Sequence, residues 1–210
     1  MAGIDDWLTV ARSADPDELR ERILTGYKGG KPFTPYVPTI QLPSRRNWVL
    51  DFGCGVGRSF PYLKGIATHV AGFDLPPMIE RCRALATERV DLLGDDWELM
   101  KQRRFDVIFA TLVLQHIEPE MCRSYVMDFA RMAPNVYLLT RSDGDFGTNV
   151  LDLIAETGLF DAGECTKVEH DLQTHQLQVL NRVPFEQARA SKDSAHYELL
   201  LRSRIFAAGS

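Results

Sequence analysis

The sequence predicts an α/β fold built on a mostly parallel sheet and closed by an antiparallel strand. Three observations predict it. Short apolar runs alternate with segments of helical period between Asn47 and Thr157, a spacing that fits crossover units rather than hairpins. A glycine-rich turn, Gly53-Cys54-Gly55-Val56-Gly57, follows the first apolar run directly. The run Tyr197–Arg204, YELLLRSR, comes late in the chain and reads as a closing strand.

The first forty residues differ from the rest. Asp15-Pro16-Asp17-Glu18 reads as a helix start, with Asp15 as cap, Pro16 at the first helical position and Glu18 at the capping-box position. Leu19, Ile23 and Leu24 share one face, and Gly26 ends that helix. Pro32, Pro35 and Pro38 then exclude a helix or a central strand. They leave an irregular segment, Tyr27–Pro38, rich in aromatics.

From Asn47 the pattern is regular. Asn47–Phe52 reads as the first strand, Gly53–Gly57 as the turn, and Arg58–Gly65 as a helix with Pro61 near its first turn. His69–Asp74, Val90–Leu93, Phe105–Thr111 and Val136–Thr140 read as strands two to five. Helices Pro77–Thr87, Pro119–Ala133 and Thr148–Thr157 lie between or after them, the last stopped by Gly158. Glu164–Leu172 and Gln176–Val183 have strand character before Pro184 interrupts.

Composition sets bounds on function. The chain has 210 residues, enough to bury a sizeable core without a metal or disulfide staple. Its net charge of −5 gives no electrostatic footprint for nucleic acid. The four cysteines form no C-x-x-C pair, so buried reduced thiols are expected and no zinc or redox site is indicated. The first residues carry acids where a signal peptide carries lysines, and no apolar run is long enough to span a bilayer. A soluble, cytoplasmic protein is expected.

The informative stretch is Val49-Leu50-Asp51-Phe52-Gly53-Cys54-Gly55-Val56-Gly57. Glycines let backbone approach a ligand closely, because no Cβ stands in the way. The dinucleotide fingerprint G-x-G-x-x-G is absent; the pattern is D-x-G-x-G-x-G. An acid before the first glycine repels a pyrophosphate and suits a cationic ligand group such as an amino-acid ammonium. The stretch resembles motif I of class I S-adenosylmethionine-dependent methyltransferases, and the likeness runs from about Trp48 to Leu139, more weakly to Arg204. The resemblance implies a Rossmann-like, seven-stranded sheet with helices on both faces. It also implies S-adenosyl-L-methionine as methyl donor and S-adenosyl-L-homocysteine as product.

By that resemblance, Asp51 holds the cofactor ammonium, and Gly53, Cys54, Gly55 and Gly57 wrap its methionine part. Asp74, 17 residues after Gly57 (74 − 57 = 17), lies near the roughly 20-residue interval of a ribose-binding acid. Its carboxylate can accept two hydrogen bonds from a ribose diol. The likeness further implies that Leu75 packs on the adenine, that the Asp95 carboxylate receives the adenine amino group, and that Asp96 backbone meets the ring. Backbone at Thr111 and Leu112 lines the methionine chain. Taken singly, Asp51 could cap a turn, Asp74 could start a helix, and Asp95 or Asp96 could cap a helix at Trp97.

The acceptor side is less determined. Methyl transfer from a sulfonium is an in-line displacement in which alignment does most of the catalytic work. His116, just past strand four, is the candidate general base and substrate-binding residue. The other reading of His116 is a pocket-shaping side chain that moves no proton. The D/N-P-P-Y tetrapeptide of amino-group methylases is missing at Thr111-Leu112-Val113-Leu114, and VLQHI looks more like the small-molecule enzymes of the superfamily. Lys101, Arg103 and Arg104 read as a solvated turn, and His170, Asp171 and His175 as strand patterning rather than a metal site.

The expected organisation is a segment over residues 1–46 that covers the site, with Tyr27 and Tyr36 as substrate contacts, or whose aromatics merely pin it to the sheet edge, and a cofactor-binding domain over 47–210. The expected function is methyl transfer to a small molecule. The alternatives are a non-catalytic cofactor-binding partner subunit and an enzyme acting on a macromolecule.

Overall fold

In the computed structural model, the described residues are 4–13, 15, 37–42, 46–86, 88–143, 149–170, 177–191 and 195–207. The expected helix after Pro16, the residues Tyr27 and Tyr36, and the pair Asp171 and His175 lie outside them.

The strands run deep because their sequences are apolar on both sides. β4 (Val107–Thr111) is buried at Val107, Ile108, Phe109 and Ala110, as an interior strand of a parallel sheet must be. β1 (Arg46–Phe52) pairs with it on one edge and with β2 (Ala67–Phe73) on the other, both parallel. β3 (Leu92–Gly94) and β5 (Asn135–Arg141) extend the parallel half outward. Beyond β5 the sheet turns antiparallel. β9 (His196–Ser203) pairs with β5 along its whole length. β6 (Phe160–Ala162) and β7 (Glu164–His170) share the far edge of β9, and β8 (Leu177–Pro184) pairs with β7. The path is β3-β2-β1-β4-β5-β9-β7-β8, nine strands with β6 among the described residues. The resemblance implies seven; the short β6 and the β8 hairpin arm are the additions. The closing strand is antiparallel, as its late YELLLRSR run suggests.

Alternation along the strands divides the core. Leu50, Phe52, Ile108, Ala110 and Leu138 pack under α5 (Pro119–Met132) and α6 (Val150–Thr157). Val49, Val70, Val107, Phe109, Tyr137 and Leu139 pack under α2 (Phe60–Ile66) and α3 (Pro76–Leu85). Local chemistry places the helix ends. Pro61, Pro77 and Pro119 sit in first turns, where a missing N–H costs nothing. The Asn149 side chain accepts from Leu151 N at 2.9 Å, and Gly158 takes a left-handed φ of 62° to end α6.

The helix at Trp97 is one alternative of the sequence reading; three further helices depart from it. α1 (Ile4–Ser13) precedes the expected first helix. α4 (Trp97–Met100) is a single turn capped by Asp96. α7 (Phe185–Ala190) begins right after Pro184, which is its N-cap rather than a simple break; α8 (Arg204–Ala207) follows β9. Upstream of β1, Leu42 is buried in the second core cluster and Thr39 reaches β9. There Glu198, wholly buried, accepts from Thr39 N at 2.7 Å, from Thr39 Oγ1, from Ile40 N at 3.4 Å and from the Tyr137 hydroxyl at 2.7 Å.

Candidate cofactor and active site

The sheet register brings the sequence-predicted residues to one place. Asp51, near the end of β1, is level with Gly72 of β2 and Phe109 of β4. The chain then leaves the sheet through the glycine turn. Gly53, Gly55 and Gly57 have φ of 71°, 55° and 82°, values that an L side chain adopts only with strain. Space is as restrictive as conformation. A Cβ on Gly53 would lie 2.4 Å from Val113 Cγ2, and one on Gly57 would lie 2.6 Å from the Phe60 ring. The turn is anchored by Gly53 N and Cys54 N, which both donate to Phe73 O.

Asp51 is 1 % exposed, and its Oδ2 has no hydrogen-bond partner among the described residues. Burial pushes its carboxyl well above the usual range, the Asp74 carboxylate adds to this, and Arg58 opposes it. A buried acceptor left unmade is costly. It marks a place where a donor, and best a cationic one, completes the site.

Asp74, just past β2, faces the same turn. Its Oδ2 accepts from Gly55 N and its Oδ1 from Leu75 N, each at 2.7 Å. Burial raises its carboxyl to about 6, against the pull of those two N–H groups. Each carboxylate oxygen has two lone pairs, so Asp74 can shape the turn and still accept from a diol. Leu75 caps α3 and packs beside Val56 of the turn, Met78 and Ala11. Cys54 is a buried free thiol whose pKa burial raises, and it contacts Cys82.

Asp95 and Asp96 are exposed in the turn after β3. The Asp96 carboxylate accepts from Leu99 N at 3.1 Å, so its side chain caps α4, and its backbone is the part left for a ligand. They line a cavity of about 220 Å³ with Arg83, Leu93 and Met100. A larger groove of about 940 Å³, lined by Thr39, Asn47, Tyr62 and Thr68 among others, lies at the opposite, N-terminal ends of β1 and β2.

At the end of β4, Thr111 is half-buried and Leu112 has φ 54°. Among the described residues Leu112 is the non-glycine residue in that region, and strain of this kind gathers at functional sites. Leu112 N donates to Leu139 O at 2.8 Å, which fixes the bend. A 3₁₀ turn, Leu114–His116, follows. His116 is half-buried, with the Trp7 ring edge-on at 5.6 Å and Gln115 Nε2 at 3.4 Å from its Nε2.

This geometry sits at the C-terminal ends of parallel strands, where open α/β sheets bind ligands. Residues 49–134 match the family model described as "Methyltransferase domain". That stretch, under half of the chain, is similar to methyltransferase domains. No curated protein matches the chain in sequence. Among solved structures, it is similar to the N-methyltransferase NodS from Bradyrhizobium japonicum in complex with S-adenosyl-l-homocysteine. The two are 16% identical, with 76% of this chain and 79% of that one covered and a TM-score of 0.52. A TehB-like SAM-dependent methyltransferase from Corynebacterium glutamicum is 18% identical, covering 77% and 83%, with a TM-score of 0.51. A Thermoplasma acidophilum protein is 14% identical, covering 77% and 80%, with a TM-score of 0.53. At these identities the likeness is one of fold.

The fold brings Asp51, the glycine turn, Asp74, Leu75, Thr111, Leu112 and His116 around one end of the sheet. The sequence reading missed Trp7, Val113 and Gln115. Trp7 was findable: Ile4, Trp7, Leu8 and Ala11 recur at helical spacing. Among the described residues no group of three or more His, Cys, Asp and Glu side chains is placed to hold a metal, and no helix is long and apolar enough to cross a membrane.

Proposed function

We propose that this protein transfers a methyl group from S-adenosylmethionine to a small-molecule acceptor. The observation that carries the reading is the buried, unpartnered Asp51 Oδ2 beneath a glycine turn held at positive φ. A site built this way fits an α-ammonium. Bound there, the cofactor supplies a methyl group already activated on a sulfonium. Asp51 receives the ammonium, and the turn at Gly53, Cys54, Gly55 and Gly57 lets backbone close on the methionine part. Asp74 accepts from the ribose hydroxyls, Leu75 and Asp96 backbone flank the adenine, and Asp95 receives its amino group. Backbone at Thr111 and Leu112 lines the approach to the methyl carbon. The NodS complex with S-adenosyl-l-homocysteine supports the same class of ligand.

The acceptor is read as small because the D/N-P-P-Y tetrapeptide is replaced by Thr111-Leu112-Val113-Leu114. Residues 1–46 are read as a covering segment and 47–210 as the catalytic unit. α1 supports the covering role: it packs on α3, and Trp7 reaches His116. Four buried free thiols fit a reducing, cytoplasmic setting.

The test is calorimetry with S-adenosylhomocysteine, followed by incubation of the protein with S-adenosylmethionine and a metabolite pool. Binding with release of S-adenosylhomocysteine supports the reading. Binding without turnover marks a non-catalytic partner subunit, and no binding at all removes the proposal.

A further inference from the structure

The hydrogen bonds around His116 assign its chemistry, given the methyl-transfer reading above. Gln115 is buried, and Arg141 N donates to its Oε1 at 2.8 Å. A backbone N–H can only donate, so this bond fixes which end of the amide is oxygen. The other end, Nε2, is therefore a donor, and it faces His116 Nε2 at 3.4 Å. A ring nitrogen that accepts a hydrogen bond carries no proton, so the neutral imidazole holds its proton on Nδ1.

The ring is also held in place. The Trp7 edge packs against it at an interplanar angle of 67°. Trp7 is itself fixed through α1: Ala11, one turn on and on the same face, is buried with Val56 and Met78, and its carbonyl accepts from Arg81 Nε at 3.1 Å. His116 N donates to Val113 O at 3.0 Å, which secures the backbone.

We propose that Gln115 is a positioning residue that locks His116 in the Nδ1-protonated form with Nε2 held by the amide, so that His116 does not serve as a base. The acceptor then reaches the site with its lone pair already free, as a carboxylate, a thiolate or an unprotonated amine. Its lone pair forms the bond to the methyl carbon as the carbon–sulfur bond breaks, and those electrons return to sulfur. No proton passes to His116 in that step.

Long-range proton–nitrogen NMR of the full chain reads the imidazole directly, with and without S-adenosylhomocysteine. Mildly alkaline buffer is used, in which an ordinary histidine, with a pKa of about 6.5, is neutral. The expected wild-type signal has Nδ1 protonated and Nε2 bare. Gln115→Leu shifts both nitrogens toward the values of a tautomer mixture. Gln115→Glu reverses the assignment, because a carboxylate accepts from Nε2–H. Should the leucine variant fail to fold, the wild-type and glutamate spectra still decide. A wild-type ring protonated on Nε2, or a tautomer unmoved in Gln115→Glu, overturns the proposal. So does turnover of an alcohol acceptor that is abolished in His116→Asn. Failure of wild-type protein to bind S-adenosylhomocysteine would instead sink the cofactor reading, while the tautomer measurement without ligand would still stand.

Discussion

Asp51 lies in the parallel half of the sheet and Glu198 in the antiparallel half, both buried and both near strand ends. Glu198 is supplied with donors: two from Thr39, one from Ile40 and the Tyr137 hydroxyl. Asp51 keeps an oxygen with none among the described residues. The backbone divides the same way. Of the described residues at positive φ, Gly53, Gly55, Gly57 and Leu112 follow the ends of β1 and β4, and Gly158 merely ends a helix. The antiparallel half satisfies its buried carboxylate internally. The other holds an unmade bond in a rigid frame, and a buried group left unmade calls for a ligand.

The contrast can be broken at either carboxylate. On the proposed reading Asp51→Asn removes the charge that meets the ammonium, and the expected loss of S-adenosylhomocysteine affinity is about 3–5 kcal/mol by calorimetry. The same variant relieves a buried repulsion with Asp74, so its melting temperature without ligand should rise. A variant that binds normally would show that Asp51 is not the ammonium site.

Glu198→Ala should do the opposite. Removing the carboxylate that accepts from the Tyr137 hydroxyl and the Thr39 N–H should cost about 3 kcal/mol in denaturant unfolding. Affinity for S-adenosylhomocysteine should stay within about twofold, a difference of roughly 0.4 kcal/mol. Equal losses of stability and affinity would erase the division between the halves.

Asp74 sharpens the comparison through pH. Its folded carboxyl titrates at about 6, above the roughly 3.9 of an unfolded chain. Between those values the folded protein holds a proton that the unfolded chain has released. The contribution of Asp74 to stability is therefore present in acid and lost as pH rises through 6. Relative to Asp74→Asn, the wild type should lose about 2–3 kcal/mol between pH of about 4 and 7. A flat difference would mean that the carboxyl is not raised.

The smallest effect is expected on the far side of the sheet. The Arg103 guanidinium lies 5.5 Å from the Trp48 ring centre, and Trp48 stacks on His69 at 4.6 Å. Arg103→Ala should cost about 0.5–1 kcal/mol of stability with ligand affinity unchanged. A larger loss of affinity would place this stack in the binding machinery.

Legibility in the sequence follows the same division. The parallel half announces itself, because strands buried on both faces are continuous apolar runs and each needs a turn and a helix before the next. VLDFGCGVG carries the turn and the acid in one stretch. Asp74 was visible from its spacing, but its grip on Gly55 N was not, since a hydrogen bond across 19 residues leaves no local pattern. Gln115 was hidden for the same reason: its role depends on Arg141 in the neighbouring strand. Pro184 was ambiguous, because proline ends a strand and begins a helix equally well. The helix cap of Asp96 was read correctly as an alternative.

The Thr39–Glu198 clasp joins positions 159 residues apart, and β9 slots between β5 and β7, which both precede it in the chain. A ribosome delivers these parts in the wrong order for assembly. β1 to β5 can pair as they emerge, but β7 has no partner on its inner edge until β9 arrives, and the residues around Thr39 must wait for the same strand. Contacts of such long range are slow to form. Until β9 has been made, then, the nascent chain exposes an open sheet edge at β5, the kind of surface that chaperones exist to shield.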